Sequence, residues 1–135
     1  MEINLIPYKA KHFPQVLEIL QSRQSSYADV LTPKSLPKVG YIACVGKQPI
    51  AAGFLRRLEP NLAIFDTLCS NAYFGSEARH KAIDLVVSNL IEDANRMKLK
   101  GILAFTVDKG VKARAADLGF NFLPDALMVL PLNQK

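Results

Sequence analysis

A strand–helix–strand unit in the second half of the sequence constrains the fold more than any other feature. Residues 62–69 (LAIFDTLC) are almost continuously apolar, which is typical of a strand covered on both faces. Residues 76–98 carry apolar side chains at helical spacing, and Ser76 is the expected N-cap. Residues 102–106 (ILAFT) form a second apolar strand. We expect this strand to lie parallel to the first across a right-handed crossover.

The flanking segments extend this unit to an α/β (α+β) domain. Before it, we expect a strand at residues 3–6, a helix at 11–22, a loop at 24–38 and a hairpin of strands 39–45 and 50–58. After it, we expect a short helix at residues 111–118 that ends at Gly119, and a hairpin of residues 120–123 and 126–130. The sequence therefore predicts a single domain over residues 1–135.

Composition excludes several classes of protein. Half of the 135 residues are hydrophobic and 21% are charged, so the chain can bury a core. Its apolar runs are shorter than the roughly 20 residues that cross a bilayer, and no N-terminal signal is visible, so we expect a cytoplasmic protein without a membrane partner. Cys44 and Cys69 are expected to be reduced and buried, and His12 and His80 are too isolated to indicate a metal site.

The chain has a formal net charge of +5, with its basic residues spread along the sequence. Several of them flank the loop before the long helix, a distribution that would suit a polyanionic cofactor. Ordinary solvated helix faces explain the same distribution. No nucleic-acid-binding motif accompanies the charge, so a nucleic-acid partner is the least supported interpretation.

The order of predicted elements, with two local motifs, resembles the GNAT N-acetyltransferase superfamily over essentially the whole chain. Residues 79–84 (RHKAID) stand where the family has its pyrophosphate motif, Q/R-x-x-G-x-G/A, with Ala82 and Asp84 at its two small-residue positions. Residues 113–120 (ARAADLGF) look like the family's short helix that closes with Leu-Gly-Phe. The resemblance implies a mixed, mostly antiparallel twisted sheet of about seven strands flanked by helices.

The resemblance also implies a site for acetyl-CoA. Its pyrophosphate would meet backbone N–H groups at the start of the long helix, where the helix dipole favours an anion. Asp84 and Glu77 bring negative charge to this region, which Arg79 and its basic neighbours could offset. In an alternative placement the loop is shifted, and Gly75 and Ser76 provide the free N–H groups. The expected cofactor-binding residues are Leu68, Cys69, Arg79, His80, Lys81, Ala82, Ile83 and Asp84.

The catalytic groups of the family are only partly matched. Many members use a tyrosine on the short helix to protonate the departing thiolate, and Ala115 stands at that position. Asp66 is the expected general base, because it is the carboxylate on the strand before the pyrophosphate loop. A cross-strand hydrogen-bonding role is the alternative for Asp66. A role for Cys69 as an acyl-accepting nucleophile is disfavoured, because no histidine is placed in the sequence to activate its thiol.

These observations leave three functions. The first is an N-acyltransferase that moves an acetyl group from acetyl-CoA to an amine of unknown identity. The second is a catalytically inactive GNAT-fold binding or structural protein, for example a phage virion component within a homo-oligomer or larger assembly. The third is a nucleic-acid-binding or inhibitor protein. Residues 24–38 would shape an acceptor site in this family, but their polar side chains carry no specific signature.

Overall fold

The structure, a computed structural model, describes residues 2–104, 113 and 115–120. The chain divides into two compact units, Met1–Ala104 and Phe105–Lys135. The helices and strands of the first unit are β1 (Asn4–Pro7), α1 (Phe13–Ser22), β2 (Val39–Val45), β3 (Gln48–Leu58), β4 (Leu62–Ser70), α2 (Ser76–Arg96) and β5 (Gly101–Leu103). Short 3-10 turns lie at Ala10–His12, Ser26–Asp29 and Pro33–Ser35. Within the ranges described, no helix is long and apolar enough to cross a membrane.

The five strands form one mixed sheet in the order β1-β2-β3-β4-β5. The first four strands are antiparallel neighbours, and β5 pairs with β4 in parallel. This confirms the mixed, mostly antiparallel architecture and the parallel strand pair across α2. The described sheet has fewer strands than the expected seven or so, because the terminal hairpin predicted at residues 120–130 lies outside the described residues.

The sheet separates two apolar clusters. On one face, α1 packs Val16, Ile19 and Leu20 against side chains from β2 and β3. On the other face, α2 buries Ala82, Val86, Leu90 and Ala94. These four residues follow one another at intervals of four, which places them on one side of the helix. Each large side chain buried in this way stabilises the fold by about 1.5–3 kcal/mol.

A glycine on β2 makes room for the largest fully buried side chain. Gly40 pairs with Phe54 on β3, and a Cβ at Gly40 would overlap atoms of the Phe54 ring. The ring of Phe54 also meets Tyr8 edge-on, with centroids 4.9 Å apart. The α1 face of the sheet is therefore organised around an aromatic pair that needs a residue without a side chain opposite it.

The second unit contains the predicted helix end at Gly119. Residues 115–117 are helical, and Gly119 adopts a φ of 96°. The amides of Gly119 and Phe120 donate to the carbonyls of Ala116 and Ala115, both at 3.0 Å. These two hydrogen bonds form a Schellman motif, which confirms the expected glycine C-cap.

Candidate functional site

Strand β4 carries a bulge near its carboxyl end. Ala52 pairs with Cys69 and Phe54 with Asp66, so Gly53 alone faces two β4 residues, Thr67 and Leu68. Thr67 takes the left-handed conformation, with a φ of 49°. Such a bulge interrupts the ladder and turns backbone groups of the strand away from their neighbour. One weak signal for the bulge is present in the sequence, namely Gly53 inside an otherwise apolar strand.

Over the described residues, the pairing of β4 with its parallel neighbour ends before the bulge. The described pairing of β4 with β5 joins Leu62, Ala63 and Ile64 to Gly101, Ile102 and Leu103. Strand β4 then runs on to Ser70. The end of the described parallel pairing and the bulge are thus separated by only a few residues of β4.

Asn71 fixes the loop that connects β4 to α2. Its side chain is almost fully buried, and its Nδ2 donates to the Pro49 carbonyl at 2.9 Å. Its backbone amide donates to the Ile50 carbonyl at 2.6 Å, and its Oδ1 accepts from the Tyr73 amide at 3.0 Å. One residue thereby ties the loop to β3 and shapes the turn toward the helix. Asn71 is not among the residues predicted for the site, although Asn after a strand is a common turn signal.

The end of α1 provides a second attachment for this loop. Arg23 Nε donates to the Ser70 carbonyl at 2.7 Å, and Arg23 Nη2 donates to Ser70 Oγ at 2.8 Å. The Ala72 amide donates to Ser22 Oγ at 3.0 Å. No local pattern in the sequence indicates these contacts, because they join segments about 50 residues apart.

Helix α2 begins one residue earlier than expected. Gly75, and not Ser76, is the N-cap, with φ −66° and ψ 159° and no side-chain capping bond. The Arg79 amide donates to the Gly75 carbonyl at 3.0 Å, which is the first hydrogen bond of the helix. The amides of Ser76, Glu77 and Ala78 precede it, so they have no acceptor within the helix. These amides and the helix dipole make the first turn favourable for an anion.

The residues expected to bind pyrophosphate lie further along the same helix. Ala82 is fully buried against the sheet, Ile83 is half-buried, and Asp84 is exposed. Asp84 comes eight residues after Ser76, which corresponds to about 12 Å along the helix axis. Lys81 Nζ lies 3.6 Å from Glu77 Oε1 in an exposed ion pair. The amides without an acceptor in the helix thus belong to Ser76, Glu77 and Ala78, which is closer to the alternative placement of the loop at Gly75 and Ser76. Binding of pyrophosphate by residues 79–84 stays a prediction.

Asp66 has a partner for each carboxylate oxygen. Its Oδ2 lies 2.5 Å from Arg56 Nε on β3, and its Oδ1 accepts from Thr67 Oγ1 at 2.7 Å. Arg56 Nη2 also donates to the Ser35 carbonyl at 2.6 Å. The pair therefore joins β3 and β4 to the loop between α1 and β2. These contacts support the cross-strand role of Asp66, while its role as a general base stays a prediction.

The remaining predicted groups are distributed as follows. Leu68 and Cys69 lie on β4, at and just after the bulge. Burial raises the pKa of the Cys69 thiol to about 12, so this thiol is protonated and a poor nucleophile near neutral pH. Ala115 lies in the helical turn of the second unit. The hydroxyl-bearing Tyr73 in the β4–α2 loop is 86% exposed.

Comparison with solved structures identifies the fold. A GNAT-family acetyltransferase of Streptococcus pneumoniae superposes with a TM-score of 0.77 at 13% identity, covering 99% of this chain and 100% of that one. An aminoglycoside acetyltransferase from an uncultured soil metagenomic sample has a TM-score of 0.74 at 9% identity, covering 98% and 100%. A Mycobacterium tuberculosis protein in complex with CoA has a TM-score of 0.66 at 13% identity, covering 84% and 70%.

These likenesses confirm the resemblance at the level of the fold. The chain has the GNAT fold over nearly its whole length. No protein-family model matches the sequence, and no curated protein matches it. The identities are low enough that function has to be argued from the residues of this chain.

Proposed function

We propose that this protein binds acetyl-CoA along the second half of β4 and at the start of α2, and transfers the acetyl group to an amine. The observation that carries the proposal is the position of the β4 bulge at Thr67 and Leu68. It lies between the end of the described β4–β5 pairing and the free amides of α2, in a fold shared with acetyltransferases and with a protein in complex with CoA.

The two ends of this region have different chemical roles in the proposal. The first turn of α2 offers the amides of Ser76, Glu77 and Ala78 to the negatively charged phosphates. Arg79 and Lys81 add positive charge in the following turn. The bulged backbone of β4, with Leu68 and Cys69, lines the path toward the thioester. Residues Ala82 and Ile83 support the helix from the core side and do not reach the ligand in this proposal.

Acetyl transfer requires a neutral amine to attack the thioester carbonyl carbon, after which the carbon–sulfur bond breaks and the amine loses a proton. A backbone N–H released from the ladder by the bulge is suited to stabilise the negative charge that develops on the carbonyl oxygen. Most of the rate enhancement then comes from holding the two reactants together. A thiolate is a good leaving group and takes its proton from solvent, so Ala115 in place of a tyrosine is compatible with this scheme.

The decisive experiment removes one helix amide without changing a side-chain interaction. Ser76 is the first helical residue, where proline fits without loss of a hydrogen bond. Gly75 already has the extended conformation that a residue before proline requires. Ser76→Pro should therefore keep the fold and weaken acetyl-CoA affinity about tenfold or more, because a hydrogen bond to a charged group is lost. Ser76→Ala, which retains the amide, is the matched control.

Binding is measured by the increase in melting temperature with acetyl-CoA and by calorimetric titration. Turnover is measured as release of free CoA thiol in the presence of a panel of amines. If the wild-type protein shows no change in melting temperature at millimolar acetyl-CoA, the proposal is wrong. If it binds CoA but releases no thiol with any amine, the binding half of the proposal holds and the non-catalytic alternative is correct.

A further inference from the structure

The contact between the end of α1 and the β4–α2 loop lies in the middle of the proposed donor site. Ser70, which accepts both hydrogen bonds from Arg23, follows the bulge residue Leu68 by two positions and precedes the N-cap Gly75 by five. Ala72, whose amide is bound by Ser22, lies in the same stretch. The segment that connects the bulge of β4 to the first turn of α2 is therefore hydrogen-bonded to residues at the end of α1.

Arg23 itself is held in a rigid setting. The amide of Arg23 donates to the Leu20 carbonyl at 3.1 Å, and the Ser25 amide donates to the same carbonyl at 3.1 Å. Gln24 between them adopts a φ of 54°, which ends the helix and starts the loop toward β2. Ser22 Oγ in turn donates to the Ile19 carbonyl at 2.6 Å. Both side chains thus extend from a fixed helix end.

The two attachments of the β4–α2 loop differ in their expected contribution to stability. Asn71 is buried and satisfies backbone groups of β3, so its loss would destabilise the fold. Arg23 is exposed, and exposed charged contacts contribute little to the free energy of unfolding. A planar guanidinium that binds one residue through two nitrogens still sets position accurately. The Arg23 contact is therefore suited to positioning more than to stability.

We propose that Arg23 is a positioning residue for the acetyl donor. By binding Ser70 through two nitrogens, it sets the distance and direction between the β4 bulge and the first turn of α2. This inference rests on the proposed function, because the positioned groups are those assigned to the thioester and to the phosphates. Small displacements of groups that align a reacting ligand cost large factors in rate, which is why a surface residue can matter here.

The test compares Arg23→Ala, Ser70→Ala and the double variant with the wild-type protein. Arg57→Ala is the charge-matched control, because Arg57 is an exposed arginine on β3 that takes no part in the loop. We expect Arg23→Ala to raise the Kd for acetyl-CoA about tenfold and to speed amide hydrogen exchange at residues 70–75, with little change in melting temperature. Arg57→Ala should leave the Kd and the exchange unchanged.

The double variant separates positioning from direct contact with the ligand. If Arg23 acts through Ser70, the effects of Arg23→Ala and Ser70→Ala on the Kd will not add. Arg23→Lys, which keeps the charge but loses the planar two-nitrogen contact, should recover only part of the affinity. Additive effects, or full recovery with lysine, would show that Arg23 does not act by positioning Ser70.

The outcomes also distinguish this inference from the proposed function. If the wild-type protein binds acetyl-CoA and Arg23→Ala binds it equally well, the positioning role is wrong and the proposed function stands. If the wild-type protein does not bind acetyl-CoA, both are wrong. If Arg23→Ala lowers the melting temperature strongly, Ser22→Ala decides the question. It removes the hydrogen bond to the Ala72 amide and should weaken acetyl-CoA binding in a folded protein, whereas unchanged binding would contradict the positioning role.

Discussion

The backbone of Gly53 lies directly beneath the Leu68 side chain across the β3–β4 pair. A Cβ at Gly53 would stand 2.7 Å from Leu68 Cδ1 and 2.8 Å from Val86 Cγ1. Both distances are shorter than carbon atoms tolerate, and Val86 belongs to the packed face of α2. The absence of a side chain at Gly53 therefore lets Leu68 of β4 and Val86 of α2 both pack against the backbone of β3.

We predict that Gly53→Ala destabilises the protein by about 1–3 kcal/mol, because the added methyl group overpacks the site between Leu68 and Val86. The measurement is urea-induced unfolding, with the free energy compared at equal denaturant slope. Gly75→Ala is the control, since a Cβ there has no neighbour within 4 Å. Equal stability of Gly53→Ala and the wild-type protein would mean that the bulge does not require a glycine opposite it.

A second prediction concerns the ion pair between Arg56 and Asp66. If Asp66 is structural, Asp66→Asn and Arg56→Gln break the same contact and should lower stability similarly, by about 1 kcal/mol or less. Their effects on acetyl transfer should then also be similar. A general base would behave differently: Asp66→Asn alone would reduce the rate by about a hundredfold or more and remove the acidic limb of the pH–rate profile.

A third prediction compares the carboxylates of Glu77 and Asp84, which lie at different positions along α2. Glu77 lies in the first turn, beside the free amides, whereas Asp84 is two turns further along. Glu77→Gln should tighten acetyl-CoA binding a few-fold by removing a repulsive charge, although it costs about 0.3–1 kcal/mol of favourable interaction with the helix dipole. Asp84→Asn should change the affinity little. Calorimetric titration at low salt checks both, and the reverse order would place the phosphates near residues 79–84.

The fourth prediction is a dependence of stability on alkaline pH. Burial raises the pKa of Cys69 to about 12, compared with about 8.5 for an exposed thiol. Between these pH values the unfolded chain has lost the proton and the folded chain has kept it. The free energy of unfolding should therefore fall as pH rises from about 9 to 12.

Cys69→Ala isolates this contribution. The variant loses a constant amount of stability from the missing sulfur, but its decline between about pH 9 and pH 11 should be shallower than that of the wild-type protein. Urea unfolding over this range is the measurement. Parallel curves for the two proteins would contradict a raised pKa at Cys69. Slow reaction of the native Cys69 thiol with an alkylating reagent near neutral pH is the corresponding chemical check.

The sequence predicted the architecture well because architecture depends on patterns of apolar residues. Local patterns of apolar residues predict both elements of this region. A continuous apolar run predicts β4, and a four-residue spacing predicts the buried face of α2, formed by Ala82, Val86, Leu90 and Ala94. The glycine C-cap at Gly119 is also a local signal and is confirmed. The parallel strands β4 and β5 and the helix α2 between them can therefore be predicted from local sequence alone.

The details of the site depend on contacts that no local pattern records. The bulge at Thr67 follows from the register of two strands, and the partners of Asp66 are Arg56 on β3 and the bulge residue Thr67. The pyrophosphate site was expected at residues 79–84 because Arg79 was aligned with a family motif, yet α2 already begins at Ser76, soon after Asn71 has turned the loop. The contact of Arg23 with Ser70 joins residues 47 positions apart.

The division of the core into two layers by the sheet determines which substitutions depend on one another. Strands β3 and β4 direct alternate side chains to opposite faces, so the layer beneath α1 and the layer beneath α2 share a backbone but few side chains. Apolar substitutions within the layer beneath α1 therefore need no compensating substitution in the layer beneath α2. One apolar layer could therefore be redesigned while the other is kept, provided that Ser22 and Arg23 still hold the β4–α2 loop.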